Sequence, residues 1–266
     1  MALVRMNFES RCLGNNQEVG IILPNLAKGQ TPAEFYGSGK KYKVLWLLHG
    51  TSGDYSDWIR KSNVERYACE KELIVVMPSA LNSNYSNWPR FMTGYRMFDF
   101  LTEELMPLIH HWFPASSRRE DNYIAGLSMG GEGAIKYAVN HPEKFAACAV
   151  LSMAPCNLKE MAKTPSRRME NSIHNAGGYE AYVNSYENTW EQLDKLKATG
   201  VLPRLYFTCG KEDFLFDVYM EFKEYAKKIG LQAQFEEFDG FCHEWDFWDM
   251  TVQRAIEFFL TGKLPA

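Results

Sequence analysis

Asn122-Tyr123-Ile124-Ala125-Gly126-Leu127-Ser128-Met129-Gly130-Gly131, continued by EGAIKYAVN (132–140), is the stretch on which the fold is read. Residues 122–127 form a short, mostly apolar run of the kind that makes a buried strand. Residues Gly131 to Asn140 read as a helix, ended by His141-Pro142. Between the two stands Gly126-Leu127-Ser128-Met129-Gly130, a G-x-S-x-G motif. A serine on a sharp strand-to-helix turn has its Oγ lifted clear of the sheet. The flanking glycines let neighbouring backbone approach closely and accept strained dihedrals. The N-terminus of the following helix favours negative charge beside the serine. A chain of this composition is expected to contain the bare motif by chance about 0.08 times. The strand before it and the helix after it therefore carry the weight of the reading.

Working outward, residues 7–13 and 17–24 read as two strands joined by a turn at Gly14-Asn15-Asn16. Residues 25–41 read as a loop, and Lys43 to Leu48 as a buried strand. A helix is expected over 57–71, a strand over 73–77, a loop rich in Asn, Ser and aromatics over 79–94, and a helix over 97–112. After the serine, 145–152 reads as a strand. Residues 155–200 have no strand signal and read as a helical cap or lid. Strands follow at 204–209 and 233–238, with helices at 214–229 and 246–260. Strands alternating with helices imply right-handed crossovers and a mostly parallel sheet, with an antiparallel hairpin at one edge. Joined to the serine elbow, this pattern is that of the α/β-hydrolase fold.

The 266 residues, 46% of them hydrophobic, suit one globular domain spanning 1–266, with 155–200 as its insertion. A net charge of −4 leaves no electrostatic footprint for nucleic acid. The basic cluster Lys40-Lys41-Lys43 reads as a solvated strand entrance. No apolar run approaches the length of a membrane span, and MALVRMNFES lacks the pattern of a signal peptide. A cytoplasmic location is the expectation, and a homo-oligomer is allowed. The six cysteines are scattered without a C-x-x-C pair, so free thiols are expected and a zinc site is not.

A serine hydroxyl needs a base to take its proton. In this fold the order along the chain is Ser, then Asp or Glu, then His. Of six histidines, His49, His110 and His111 precede Ser128, His141 ends the following helix, and His174 lies in the cap. His243 alone follows a late strand and is the expected base. The acid should lie on the loop after 204–209, where Glu212, Asp213 and Asp217 all stand; Asp213 is favoured. The N–H of Met129, just after the serine, and that of Thr51, in His49-Gly50-Thr51-Ser52-Gly53, are the expected oxyanion donors. Trp58, Tyr85 and Trp88, with Phe91 and Tyr95, are candidates to wall a substrate pocket.

The stretches LLHGTSGDYSDW (47–58), LIVVMP (73–78), YIAGLSMGGEGAIKYAV (123–139), CGKEDFL (209–215) and HEWDFW (243–248) carry a wider resemblance. The chain resembles the putative-esterase family of esterase D, S-formylglutathione hydrolase and tributyrin esterases, whose superfamily also holds feruloyl and acetylxylan esterases. The resemblance implies a Ser128–Asp213–His243 triad, no metal or other cofactor, and hydrolysis of short-chain esters. S-formylglutathione hydrolases typically have His in the place of Glu132, within G-H-S-M-G-G-H-G, and this chain has GLSMGGEG. The expectation is a carboxylesterase for small acyl or hydroxycinnamoyl esters, with plant cell-wall fragments as one source. The rival readings are a thioesterase or acyltransferase and, in another class, a carbohydrate-binding protein on a hydrolase fold.

Overall fold

A computed structural model describes residues 2–26, 29–91 and 94–265. Ten strands are found among them: β1 (Ala2–Ser10), β2 (Asn15–Leu23), β3 (Val44–Leu48), β4 (Ile74–Pro78), β5 (Asn87–Trp88), β6 (Tyr95–Arg96), β7 (Asn122–Leu127), β8 (Ala147–Leu151), β9 (Arg204–Gly210) and β10 (Gln234–Phe238). Eight form one sheet in the order β1-β2-β4-β3-β7-β8-β9-β10. β1 and β2 pair antiparallel with each other, and β2 pairs antiparallel with β4. From β4 to β10 every pairing is parallel. This is the mostly parallel sheet with an antiparallel edge that α/β-hydrolase folds require.

Side chains alternate across a strand, so the continuous apolar runs of β3, β7 and β8 feed two cores at once. Trp46, Ile124 and Val150 face one layer, built on the Met129–Asn140 helix, the helices between β8 and β9, and the Phe216–Ile229 helix. Leu45, Ala125 and Ala149 face the other, built on Asp57–Lys61, Val64–Glu70 and Trp245–Thr261. The segment 155–200 is helical, as expected, with helices at Leu158–Met161, Arg167–Ala176, Tyr179–Val183 and Thr189–Leu196.

Several boundaries differ from the sequence reading, each for a reason that lies far off in the chain. The first strand ends at Ser10 because the Ser10 hydroxyl and the N–H groups of Arg11 and Cys12 turn onto the Glu104 carboxylate. The helix expected over 57–71 breaks at Ser62-Asn63, where the Asn63 backbone and side chain both donate to Asp249. The helix over 97–112 contains a π-helical turn at Phe100–Leu105. The loop 25–41 holds a short helix at Pro32–Tyr36 opened by a Thr31/Glu34 capping box, and the loop 79–94 gives rise to the β5–β6 hairpin. Residues 27–28 and 92–93 of those two loops lie outside the described residues. The Lys40 ammonium pairs with Glu72 while both stay about half exposed, in keeping with a solvated strand entrance.

Two glycines set how closely the helix after β7 seats against the sheet. A Cβ on Gly126 would lie 2.2 Å from the Gly130 carbonyl oxygen. A Cβ on Gly130 would lie 2.4 Å from the Leu48 carbonyl oxygen and 2.6 Å from that of His49. All the blocking atoms are backbone, so no side chain can swing aside. Gly130→Ala should cost at least about 1–3 kcal/mol of overpacking. A fall in the urea midpoint checks this, and an unchanged midpoint would contradict the close approach described here.

Candidate active site

β7 runs directly into Ser128, which sits at φ 52°, ψ −120° as the N-cap of the Met129–Asn140 helix. A non-glycine residue there carries strain of about 1–3 kcal/mol. The Ser128 N–H donates to the Leu151 carbonyl of β8 (2.8 Å), and the Ser128 carbonyl accepts from the Glu132 N–H (3.0 Å). The neighbouring strand and the first helical turn thus hold the strained residue from both sides.

The turn after β3 is equally fixed. His49 is buried, its Nδ1 donating to the Gly50 carbonyl (2.7 Å) and its Nε2 accepting from the Ala80 N–H (2.9 Å). Burial pushes the His49 imidazole below its ordinary pKa, against the pull of Gly50 and of nearby carboxylates. The neutral ring therefore serves as a structural brace. The Tyr85 hydroxyl donates to the His49 carbonyl (3.0 Å), and Ser52, at φ 64°, donates its N–H to Asn82 Oδ1 (2.7 Å). Thr51 and Met129 reach the same cavity as Ser128. The Thr51 hydroxyl also accepts a 3.4 Å hydrogen bond from Arg168 of the helical segment.

His243 lines the same cavity, and its Nδ1 lies 2.8 Å from Asp213 Oδ2. Asp213 is buried, and its Oδ1 accepts the Leu215 N–H (2.9 Å). Burial alone would raise the Asp213 carboxyl. Hydrogen bonds from His243, the Leu215 N–H and Ser152 outweigh it and hold the group below its ordinary value. Phe214 (4.6 Å between ring centroids) and Trp248 (4.9 Å, nearly perpendicular) flank the imidazole, and the Trp248 indole N–H donates to Ser152 (2.9 Å). The loops carrying Asp213 and His243 are laced together: the Glu212 N–H donates to the Phe241 carbonyl, and the Glu212 carboxylate accepts the Phe241 N–H. Of the three candidate acids, Asp213 meets His243, Glu212 laces the loops, and Asp217 is exposed at the start of the Phe216–Ile229 helix.

The cavity joining Ser128 and His243 has a volume of about 700 Å³. Its apolar lining includes Ile135, Met153, Met161, Met169 and Val218, and Glu132, Arg168 and Glu187 also reach it. Burial pushes the Glu132 carboxyl up, opposed by Lys136. The sequence reading missed most of these residues. Glu132 was within reach of it, since one helical turn from Ser128 returns to the same face. The cap residues gave no such signal.

The expected aromatic wall is corrected by the structure. Trp58 is fully buried, donates its indole N–H to the Leu48 carbonyl (3.0 Å) and packs edge-on against Trp245. Tyr85 is buried beneath His49, and Trp88 is buried in β5. None of the three lines the cavity, and the Trp58 indole N–H and the Tyr85 hydroxyl are turned onto backbone carbonyls beneath it. The aromatic rings at the site are Tyr182, Phe214, Trp245 and Trp248. Among the described residues no group of three or more His, Cys, Asp or Glu side chains is placed to hold a metal ion. None of the six cysteines is joined in a disulfide, and no helix among the described residues is long and apolar enough to cross a membrane.

Comparisons with known proteins bear on the family and the fold. The family model described as "Putative esterase" matches residues 13–259. An acetyl esterase of Caldicellulosiruptor saccharolyticus is 28% identical over 263 residues, covering 97% of each chain. The fluorophosphonate-binding serine hydrolase F of Staphylococcus aureus is 31% identical with a TM-score of 0.82, covering 98% of each chain. An S-formylglutathione hydrolase of Staphylococcus aureus is also 31% identical, with a TM-score of 0.79, covering 98% of this chain and 99% of that one. The chain belongs to the putative-esterase family, and it is a carboxylic ester hydrolase on an α/β-hydrolase fold.

Proposed function

We propose that the protein is a serine carboxylesterase that cleaves short-chain acyl or hydroxycinnamoyl esters through an acyl-enzyme. The observation that carries this reading is the 2.8 Å contact between His243 Nδ1 and buried Asp213, on the rim of the cavity that also receives Ser128. With Nδ1 engaged by the carboxylate, Nε2 is the ring nitrogen free to take the Ser128 proton. Ser128 Oγ then attacks the ester carbonyl. The N–H groups of Met129 and Thr51 stabilise the negative charge that develops on its oxygen. The imidazolium, held by Asp213, returns the proton to the leaving alcohol. A water molecule repeats the sequence and releases the acid, regenerating Ser128. No step requires a metal or a cofactor. A cavity of about 700 Å³ with an apolar floor accommodates an acyl group well beyond acetyl. The resemblance to feruloyl and acetylxylan esterases makes plant cell-wall fragments one proposed source of substrate; a single-domain enzyme in the cytoplasm, with a homo-oligomer allowed, is the accompanying proposal.

A thioester reading draws on the likeness to the S-formylglutathione hydrolase. Glu132, in place of the His typical of those enzymes, argues against it as the main activity. Assaying S-formylglutathione beside oxygen esters separates the two.

Ser128→Ala should abolish labelling by a fluorophosphonate probe and lower kcat for nitrophenyl butyrate by about 10⁶-fold. Labelling that survives in the variant would remove Ser128 from the nucleophile's role. Asp213→Asn should leave the fold in place and lower kcat by about 10⁴-fold through loss of imidazole orientation.

The Asp213 interactions also make a pH-dependent contribution to stability. A carboxyl held below its ordinary pKa of about 3.9 stabilises the fold above that pH and loses the contribution as pH falls through the lower folded-state value. In urea unfolding, the gap between wild type and Asp213→Asn should be widest near neutral pH and narrow below about pH 4. A gap that stays constant across that range would contradict a depressed Asp213.

A further inference from the structure

The central sheet ends in two edge strands, β1 and β10. An open edge offers a row of backbone N–H and C=O groups to any chain able to pair with it. Folds that stay monomeric guard it with short strands, charge, proline or bulges. β10 is guarded. It has five residues, Gln234–Phe238, and its adjacent glutamates are held by Arg254 and Lys223. β1 is not guarded in this way. It runs nine residues, Ala2–Ser10, without proline or lysine. It pairs with β2 one residue to one throughout, from Ala2 opposite Leu23 to Ser10 opposite Asn15, so no bulge turns it aside. Among the described residues no strand covers its other side.

The side chains of β1 are complementary to themselves. Arg5, Asn7 and Glu9 are exposed on one face. Neither Arg5 nor Glu9 has a hydrogen-bond or ion-pair partner among the described residues. Val4, Met6 and Phe8 stand half-buried on the other face, with Phe8 stacked on Phe100 (6.0 Å between ring centroids). In a two-fold antiparallel pair, residue i of one copy faces j of the other, and j faces i. With the axis at Asn7, Arg5 of each copy falls opposite Glu9 of the other. On the second face Met6 falls opposite Phe8, again twice. Opposite charges and a thioether against a ring are both favourable cross-strand pairs. An axis at Met6 would set Arg5 opposite Asn7, and one at Phe8 would set it opposite Arg11. The charges therefore select the Asn7 axis.

We propose that β1 is a dimer interface, at which two copies of the protein join edge to edge, antiparallel about a two-fold axis at Asn7, into one continuous sheet. This rests on the self-association proposed above and names its face. Three strands separate β1 from β7, so the pairing leaves the Ser128 cavity open. A contact of this length is small, and sedimentation velocity from about 1 to 200 μM spans the association expected of it. Wild type should pass from monomer to dimer across that range. Arg5→Glu places Glu opposite Glu9, and Glu9→Arg places Arg opposite Arg5. Each creates two like-charge pairs and should weaken dimerisation by at least about ten-fold. Mixing the two variants should restore association, because every Glu of one copy then meets an Arg of the other. Unchanged hydrolysis of nitrophenyl butyrate checks that each variant is folded. Should a variant not fold, amide hydrogen exchange of wild type decides, since residues 4–10 should gain protection as concentration rises. Wild type that stays monomeric throughout would overturn both this interface and self-association. Single variants that dimerise as tightly as wild type, a mixture that fails to associate, or a dimer without added protection at residues 4–10 would overturn the β1 interface and leave self-association through another face.

Discussion

The contact on which the site depends is backbone against backbone. Gly130, in the first turn of the helix after Ser128, lies so close to the Leu48 and His49 carbonyls that no side chain fits between them. That approach brings the end of β3 and the start of the elbow helix together. Gly50, Thr51 and Met129 consequently border one space. Gly126 permits the matching approach to the Gly130 carbonyl from the strand side. Ser128 is held in its strained conformation because both of its backbone polar groups are bonded, one to β8 and one to the helix. The strain is small beside the packing that over-determines it.

The proposed acid and base, Asp213 and His243, are placed by a second device, the lacing of two loops at the ends of β9 and β10. Glu212 binds Phe241 through both backbone and side chain, and Gly210 admits the Phe241 carbonyl where a Cβ would stand 2.2 Å from it. These contacts fix the spacing of Asp213 and His243 before any charge acts between them. Desolvation works against the ionised Asp213, and three hydrogen bonds reverse its effect. Electrostatics here refines a geometry that the backbone has already set.

The cap contributes in a different way. It returns Glu187 to Lys136, a residue of the elbow helix, and Arg168 to Thr51, a residue of the turn after β3. Breaking a buried pair such as Lys136–Glu187 costs about 3–5 kcal/mol, so the helical segment is anchored to the sheet layer beneath it.

Much of this was legible in the sequence, because it depends on local chemistry. The apolar runs at 44–48, 122–127 and 147–151 are strands whatever surrounds them, and the turn after 122–127 needs glycines at 126 and 130. Chain order then isolates His243 from the other histidines. The aromatic loops were misread because composition does not say which way a ring points. Trp58 and Tyr85 turn inward to satisfy the Leu48 and His49 carbonyls. Likewise the breaks at Ser10 and Ser62-Asn63 are set by Glu104 and Asp249, roughly ninety and one hundred and ninety residues away. The sequence by itself determined the fold class and the chain order of the candidate nucleophile, acid and base, since periodicity and turn chemistry are local. Only the tertiary structure decided what lines the cavity, because residues 132, 168 and 187 come together through buried charge and packing across elements far apart in the chain.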